Sequence, residues 1–242
     1  MAHETEVKMY IFVVRGWNCE KTIERCLKSI LAQKGDFRIS VILDPGKDDS
    51  YRRAVDSTKD ANVHVNIHVN GTRLGPMANT YYGIELSPPN PEDIICMVDA
   101  DDWIYEGALE TLNKYYDHNT MLTYGSFILD CTGKKSRICK PYHRKANVRT
   151  DKWRATHMRT FRYSLFHYIA YDNFTHKGKW IQAASDLASM IPMIEMAGLD
   201  RCKYVKEPIY HYNNKTKYSI KRDIQRKWER IIRAKKPLER IA

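Results

Sequence analysis

Ile94 to Val98 is a short, unbroken, mostly β-branched apolar run that stops on three carboxylates in four positions, Asp99, Asp101 and Asp102. A run of that length reads as a strand buried on both faces, the central strand of a mainly parallel sheet. Three acids at the end of a buried strand repel one another. A hard divalent cation relieves the repulsion, since carboxylate oxygens suit Mg²⁺ or Mn²⁺. Ligands of open α/β sheets also sit at the carboxyl ends of strands. The competing reading of an isolated D-x-D is a solvated acidic turn.

The surrounding pattern favours the sheet. Met9 to Val14 is a first apolar strand, and Asn18 offers an N-cap for a helix over residues 19–33, whose stripe is Ile23, Leu27, Ile30 and Leu31. Ile39 to Leu43 is a second strand, running into an acidic turn at Asp44. Residues 51–60 read as a polar helix. Val63, Val65, Ile67 and Val69 alternate with polar residues, a half-exposed strand on which His64 and His68 form one wet face. Met77 to Leu86 and Glu106 to Tyr116 read as helices, Met121 to Leu129 as a strand. Strand and helix alternate for about 130 residues, which predicts an α/β fold: a mainly parallel sheet with helices on both faces. Neither a G-x-G-x-x-G after the first strand nor a G-x-x-x-x-G-K-[ST] occurs, which argues against dinucleotide oxidoreductases and P-loop NTPases.

The second half is less regular. Residues 132–160 read as a long polar loop. The aromatic set around Phe166 reads as core packing rather than a sugar platform. Residues 180–197 read as helical, interrupted at Ser185-Asp186 and Pro192, and Tyr204 to Tyr212 as a strand. The tail places Ile220, Ile224, Trp228, Ile231 and Ile232 on one face of a basic amphipathic helix. The expected division is a domain over residues 1–214 and a helical extension over residues 215–242.

Charge is segregated. The net formal charge of +11 divides into −7 over residues 1–133, +10 over 134–162, zero over 163–214 and +8 over 215–242. The basic blocks point to an anionic partner. Two kinds fit: a nucleic acid whose phosphates lie along Lys134 to Arg162 and the tail, or an anionic membrane surface on which the tail helix lies. A solvated basic face with no partner is the third reading. No apolar stretch is long enough to span a membrane, and the N-terminus lacks the pattern of a signal peptide. The six scattered cysteines read as reduced thiols of a cytoplasmic protein. Cys131, Cys139, His143 and His157 have no usual zinc spacing.

These motifs together resemble the GT-A nucleotide-sugar glycosyltransferases, specifically the family-2-like group, over about residues 8–212. The resemblance rests on Val13-Val14-Arg15-Gly16-Trp17-Asn18 leading to Ser29-Ile30-Leu31-Ala32-Gln33, on Asp44-Pro45-Gly46, on Gly75, Ala78 and Asn79, and most specifically on Val98-Asp99-Ala100-Asp101-Asp102-Trp103. Ala184-Ser185-Asp186-Leu187 and Glu207-Pro208-Ile209-Tyr210-His211-Tyr212 resemble the acceptor-side segment and the strand that follows it. Pro45 stands where the family has a second acid, Ser185 where Glu is commoner, and the arginine of the nucleotide loop is missing, so Arg73 is its substitute.

The resemblance implies a metal-dependent hexosyltransferase using a UDP-sugar, with inversion at the anomeric carbon. Val14, Arg15, Asp44, Arg73, Gly75, Asn79, Asp99 and Asp102 would bind the donor. Mn²⁺ or Mg²⁺ would sit on Asp101, with Asp99 sharing it and His211 completing the shell. Asp186 would be the catalytic base. The acceptor would be anionic, for instance hydroxymethylated bases of phage-type DNA, or a lipid-linked or polysaccharide acceptor at a membrane. A non-catalytic binding module of the same fold and a nucleotidyltransferase using the same acids are the other classes.

Overall fold

The computed structural model describes residues 9–86, 88–136, 138–214 and 222–241. The first half alternates as expected: β1 (Tyr10–Gly16), α1 (Ile23–Leu31), β2 (Phe37–Leu43), α2 (Ser50–Thr58), β3 (Val65–Val69), α3 (Pro76–Glu85), β4 (Ile94–Asp99), β5 (Trp103–Ile104), α4 (Ala108–Asn113) and β6 (Leu122–Leu129). The second half adds β7 (Arg159–Arg162), α5 (Tyr163–His167), a small hairpin of β8 (Thr175–His176) and β9 (Lys179–Trp180), α6 (Ser185–Ala197), β10 (Cys202–Tyr212) and α7 (Arg222–Arg233).

Eight strands form one mixed sheet in the order β3-β2-β1-β4-β7-β6-β10-β5. β1 runs parallel to both β2 and β4, β6 runs parallel to β10, and β7 enters antiparallel between β4 and β6. The chain moves outward from β1 to β3, then returns to place β4 on the other side of β1. That reversal opens a crevice at the carboxyl ends of β1 and β4.

The alternation of β1 and β4 explains why both are apolar as far as Val14 and Val98. Phe12, Val14, Cys96 and Val98 pack with α1, while Ile11, Val13, Ile95 and Met97 pack into a second cluster with α6. Val14 is fully buried in the first cluster. Its side chain is part of the core and its backbone belongs to the ladder, so the expected contact between Val14 and a donor is corrected.

Three local expectations change. α1 starts at Ile23 rather than 19, because Asn18 adopts a left-handed backbone (φ 49°) and spends its side chain elsewhere: its Oδ1 accepts from Lys47 N at 3.2 Å. Gly46 is required there, since a Cβ would stand 2.3 Å from that oxygen. α6 is uninterrupted from Ser185 through Pro192 and begins only at Ser185; almost all of it is buried, and packing outweighs the proline's missing N–H. Among the described residues the long segment after β6 is irregular as far as residue 158, apart from one bridge between Ile128 and Lys135; residues 159 and 160, expected in the loop, open β7.

The tail is docked. Ile232 is buried, Trp228 packs on the second cluster, and only Ile224 among the described apolar face is largely exposed. Ile220 and the expected boundary after residue 214 lie outside the described residues. All six cysteines are free. Among the described residues no helix is long and apolar enough to cross a membrane.

Candidate active site

A cleft of about 900 Å³ lies at the β1–β4 crevice. Of the residues singled out in the sequence, Arg15, Asp44, Arg73, Gly75, Asn79, Asp99 and Asp101 line it; Asp102, Asp186 and His211 do not. Trp17, Asn18, Lys21 and Lys47 join the wall. They come from the turns after β1 and β2; Trp17 and Asn18 belong to the stretch that carries the resemblance, with no binding role expected of them, and Lys21 and Lys47 carry no motif.

Asp44 holds the far end of the cleft together. Its carboxylate accepts from Asn70 Nδ2, Leu74 N and Gly75 N, each at 2.9 Å. Three of roughly four acceptor positions are thus taken. Asn70 also donates to Asn79 Oδ1 at 2.7 Å, so the loop before α3 is closed on itself. Gly75 has φ 91° and a Cβ there would meet Gln182 at 2.9 Å, which accounts for the glycine. Arg73 lies 3.4 Å over the Trp17 ring, a cation–π pair on the cleft wall.

At the near end, Arg15 is 8% exposed and knits three elements. Its Nε donates to Asp99 Oδ1 at 2.7 Å, and its Nη1 donates to Thr80 Oγ1 at 2.7 Å and Ser185 Oγ at 3.1 Å. Arg159, from β7, is 4% exposed and stands 3.6 Å from Asp99 and 3.8 Å from Asp186. Burial opposes ionisation of Asp99, but Arg15 and Arg159 outweigh it and hold the carboxyl below the usual range. Arg159 therefore connects the acid at the end of β4 to the acid in the first turn of α6.

Asp102 has a different job from the one expected. It is 1% exposed, and its two oxygens accept from Tyr210 OH at 2.6 Å and Asn213 N at 2.7 Å. Burial, then the Asp99 and Asp101 charges, push its pKa well above the usual range. It clamps the end of β10 to the acidic turn, and at 1% exposure it is absent from the cleft wall where a donor sugar would lie.

His211 is also corrected. Tyr210 reaches Asp102, so strand alternation sends the next side chain to the opposite face. There His211 stacks on Trp103 and Tyr105, with centroids 5.0 and 4.2 Å apart. The imidazole beside the acids is His157, stacked on Tyr210 and Tyr212. Burial and the neighbouring Arg159 lower its pKa to about 3, so the ring is neutral. Asp99, Asp102 and His157 bring ligand atoms within 4.8 Å of one another, the one such metal-competent group among the described residues. The Cys131, Cys139, His143 and His157 set is not assembled there. Of Asp99, Asp102 and His157, only Asp99 lines the cleft. Asp99 and Asp101 both line the cleft, and their hard oxygens fit Mn²⁺ or Mg²⁺.

The fold has relatives among known proteins. A model of the family described as "Glycosyl transferase family 2" matches residues 12–177. Among solved structures, S. aureus TarS 1-349 in complex with UDP-GlcNAc aligns with a TM-score of 0.70 at 15% identity, over 93% of this chain and 65% of that one. Glucosyl-3-phosphoglycerate synthase from Mycobacterium tuberculosis, in complex with Mn²⁺, uridine-diphosphate and phosphoglyceric acid, gives 0.60 at 13% identity, over 94% and 76%. Mannosyltransferase PcManGT from Pyrobaculum calidifontis, in complex with GDP-Man and Mn²⁺, gives 0.57 at 14%, over 85% and 56%. At these identities the likeness is one of fold. The chain spans 36% of the longer TarS chain and 60% of the 1-349 form. No curated protein sequence matches the chain.

Proposed function

Because the chain belongs to glycosyl transferase family 2 and has the GT-A fold, we propose that it transfers a hexose from a UDP-sugar to an acceptor hydroxyl with inversion. One observation carries the reading: Asp99 and Asp101 line the cleft, and Arg159 joins Asp99 to Asp186. Asp44, with about one acceptor position left, would take the imide N–H of uracil. Arg73 and Trp17 would flank the nucleotide. Asp101, with Asp99 beside it, would hold Mn²⁺ or Mg²⁺. When bound, the ion supplies positive charge to the departing diphosphate. Asp186 would receive the proton of the attacking hydroxyl as the new C1–O bond forms. The C1–O bond to phosphate breaks, and its electron pair leaves with UDP.

The test is a thermal-shift screen of nucleotide sugars with and without Mn²⁺. A ligand at about 100 times its Kd stabilises by about 2.7 kcal/mol. For a chain of this size that raises Tm by about 5–10 °C. The expected result is such a shift for a UDP-sugar only when Mn²⁺ is present. No shift with any nucleotide sugar would remove the donor assignment, and binding without release of UDP would leave a non-catalytic module.

For the acceptor we favour an anionic one, of which a modified nucleic acid is the specific case. The support is narrower than the sequence suggested. Of the cations in residues 134–162, Arg149, Arg159 and Arg162 are buried and paired with Glu195, Asp99 with Asp186, and Glu92. Lys134, Lys135, Lys140, Arg144, Lys145 and Lys152 remain exposed. If these six each neutralise one phosphate, affinity for DNA falls by about 10³-fold between about 50 and 200 mM salt. Titration of a labelled duplex over that range measures it, and a flat response rejects a nucleic-acid acceptor. The docked Trp228 and Ile232 reduce the apolar face left for a membrane.

A further inference from the structure

Asp186 bears a contact that its sequence neighbourhood does not announce. Trp153 Nε1 donates to Asp186 Oδ2 at 2.9 Å, and the Arg159 guanidinium lies 3.8 Å from the same oxygen. Oδ1 has no hydrogen-bond partner among the described residues, and the side chain is 26% exposed. One carboxylate oxygen is therefore engaged and the other is free.

Trp153 is itself held from the core. The next backbone N–H, of Arg154, donates to Tyr142 OH at 3.1 Å, and Tyr142 N donates to Tyr124 OH at 2.9 Å. Tyr124 is a buried residue of β6. A brace thus runs from the sheet, through a loop without regular structure, to the acid at the start of α6. A loop that only displayed lysines to solvent would need no such brace.

We infer that Trp153 is a positioning residue for Asp186: it fixes Oδ2 so that Oδ1 is the oxygen that takes the acceptor proton. This rests on the reading of Asp186 as the base. The acceptor O–H bond breaks toward Oδ1, its electron pair forms the bond to C1, and the diphosphate leaves with the pair from its own bond to C1. A carboxylate free to rotate about its Cβ–Cγ bond would present Oδ1 in that direction only part of the time. A misplacement of about 1 Å in such a group costs about 10²-fold in rate.

Trp153→Phe keeps the ring and removes the donor; Trp153→His keeps a ring N–H. The assay is release of UDP, with Mn²⁺ and water as acceptor, from UDP-glucose and UDP-N-acetylglucosamine. For Trp153→Phe we expect kcat to fall about 10- to 100-fold with donor KM within about twofold, and Trp153→His to regain part of the loss. Trp153→Phe on an Asp186→Asn background should add nothing, since both act through one group. Independently of turnover, the indole N–H resonance missing from ¹⁵N-labelled Trp153→Phe identifies Trp153, and it should move in Asp186→Ala. A normal kcat in Trp153→Phe alongside an inactive Asp186→Asn overturns the positioning role and leaves the base intact. An active Asp186→Asn overturns the base itself. An indole resonance indifferent to Asp186→Ala removes the contact, and equal losses of kcat and thermal stability in both Trp153 variants would mark packing alone.

Discussion

Asp101→Asn lowers Mn²⁺-dependent release of UDP by about 10³-fold, while the protein stays folded and its melting temperature without ligand changes little. The expectation follows from division of labour among the three acids. Asp102 is locked by Tyr210 and Asn213, and Asp99 is neutralised by Arg15 and Arg159. Asp101 lies on the cleft wall beside Asp99, and its side chain is only partly buried. Losing its charge removes several kcal/mol of stabilisation from a departing diphosphate, and each 1.36 kcal/mol is tenfold in rate. A chelator should lower wild-type activity to the level of Asp101→Asn, and should do nothing further to the variant. Activity within threefold of wild type would show that the ion, if any, sits on the Asp99, Asp102 and His157 side of the turn.

Arg149→Met destabilises the whole domain by about 3–5 kcal/mol, the usual cost of removing one partner from a buried pair. Both nitrogens of one edge of Arg149 grip the Glu195 carboxylate, and the side chains are 8% and 12% exposed. Arg149 also donates to the carbonyls of Ile232 and Lys236, while Leu238 N donates to Glu195. The pair therefore fastens the tail to α6 and to the loop after β6. For a chain of this size the fall in Tm is about 6–20 °C. Differential scanning calorimetry of Arg149→Met, beside Glu195→Gln, which keeps an acceptor, measures it. A loss under 1 kcal/mol would mean that the tail is not docked in solution.

Arg149 also shows why charge counts along the chain overstate a surface. In the sequence Arg149, Arg159 and Arg162 are indistinguishable from Lys145 or Lys152, because net charge carries no information about burial. Each of the three arginines has an acid from far along the chain beside it: Glu195, Asp186 with Asp99, and Glu92. A weak cue existed for Arg159 and Arg162. They bracket Thr160 and Phe161 in a short stretch that pairs with β4 and β6, and long basic side chains on a buried strand need partners. Nothing comparable marked Trp153 or His157, which sit in a segment with no period.

Local patterning determined what local patterning controls. The apolar runs, their strand-like lengths and the helical stripes between them specified a mainly parallel sheet. The step from Val98 to Asp99 placed the acids at a strand end. Gly75 and Gly46 could be read as turn residues because their chemistry is local. Partnership between distant side chains was decided only by tertiary structure. Strand parity turned His211 outward and Tyr210 inward, and it buried Val14. The arrival of β7 between β4 and β6 put a neutral imidazole and a guanidinium beside acids some sixty residues earlier in the chain. The physical reason is that a strand run encodes its own two faces through the pleat, whereas which distant group meets a face depends on strand order, and that is set by packing of the whole chain.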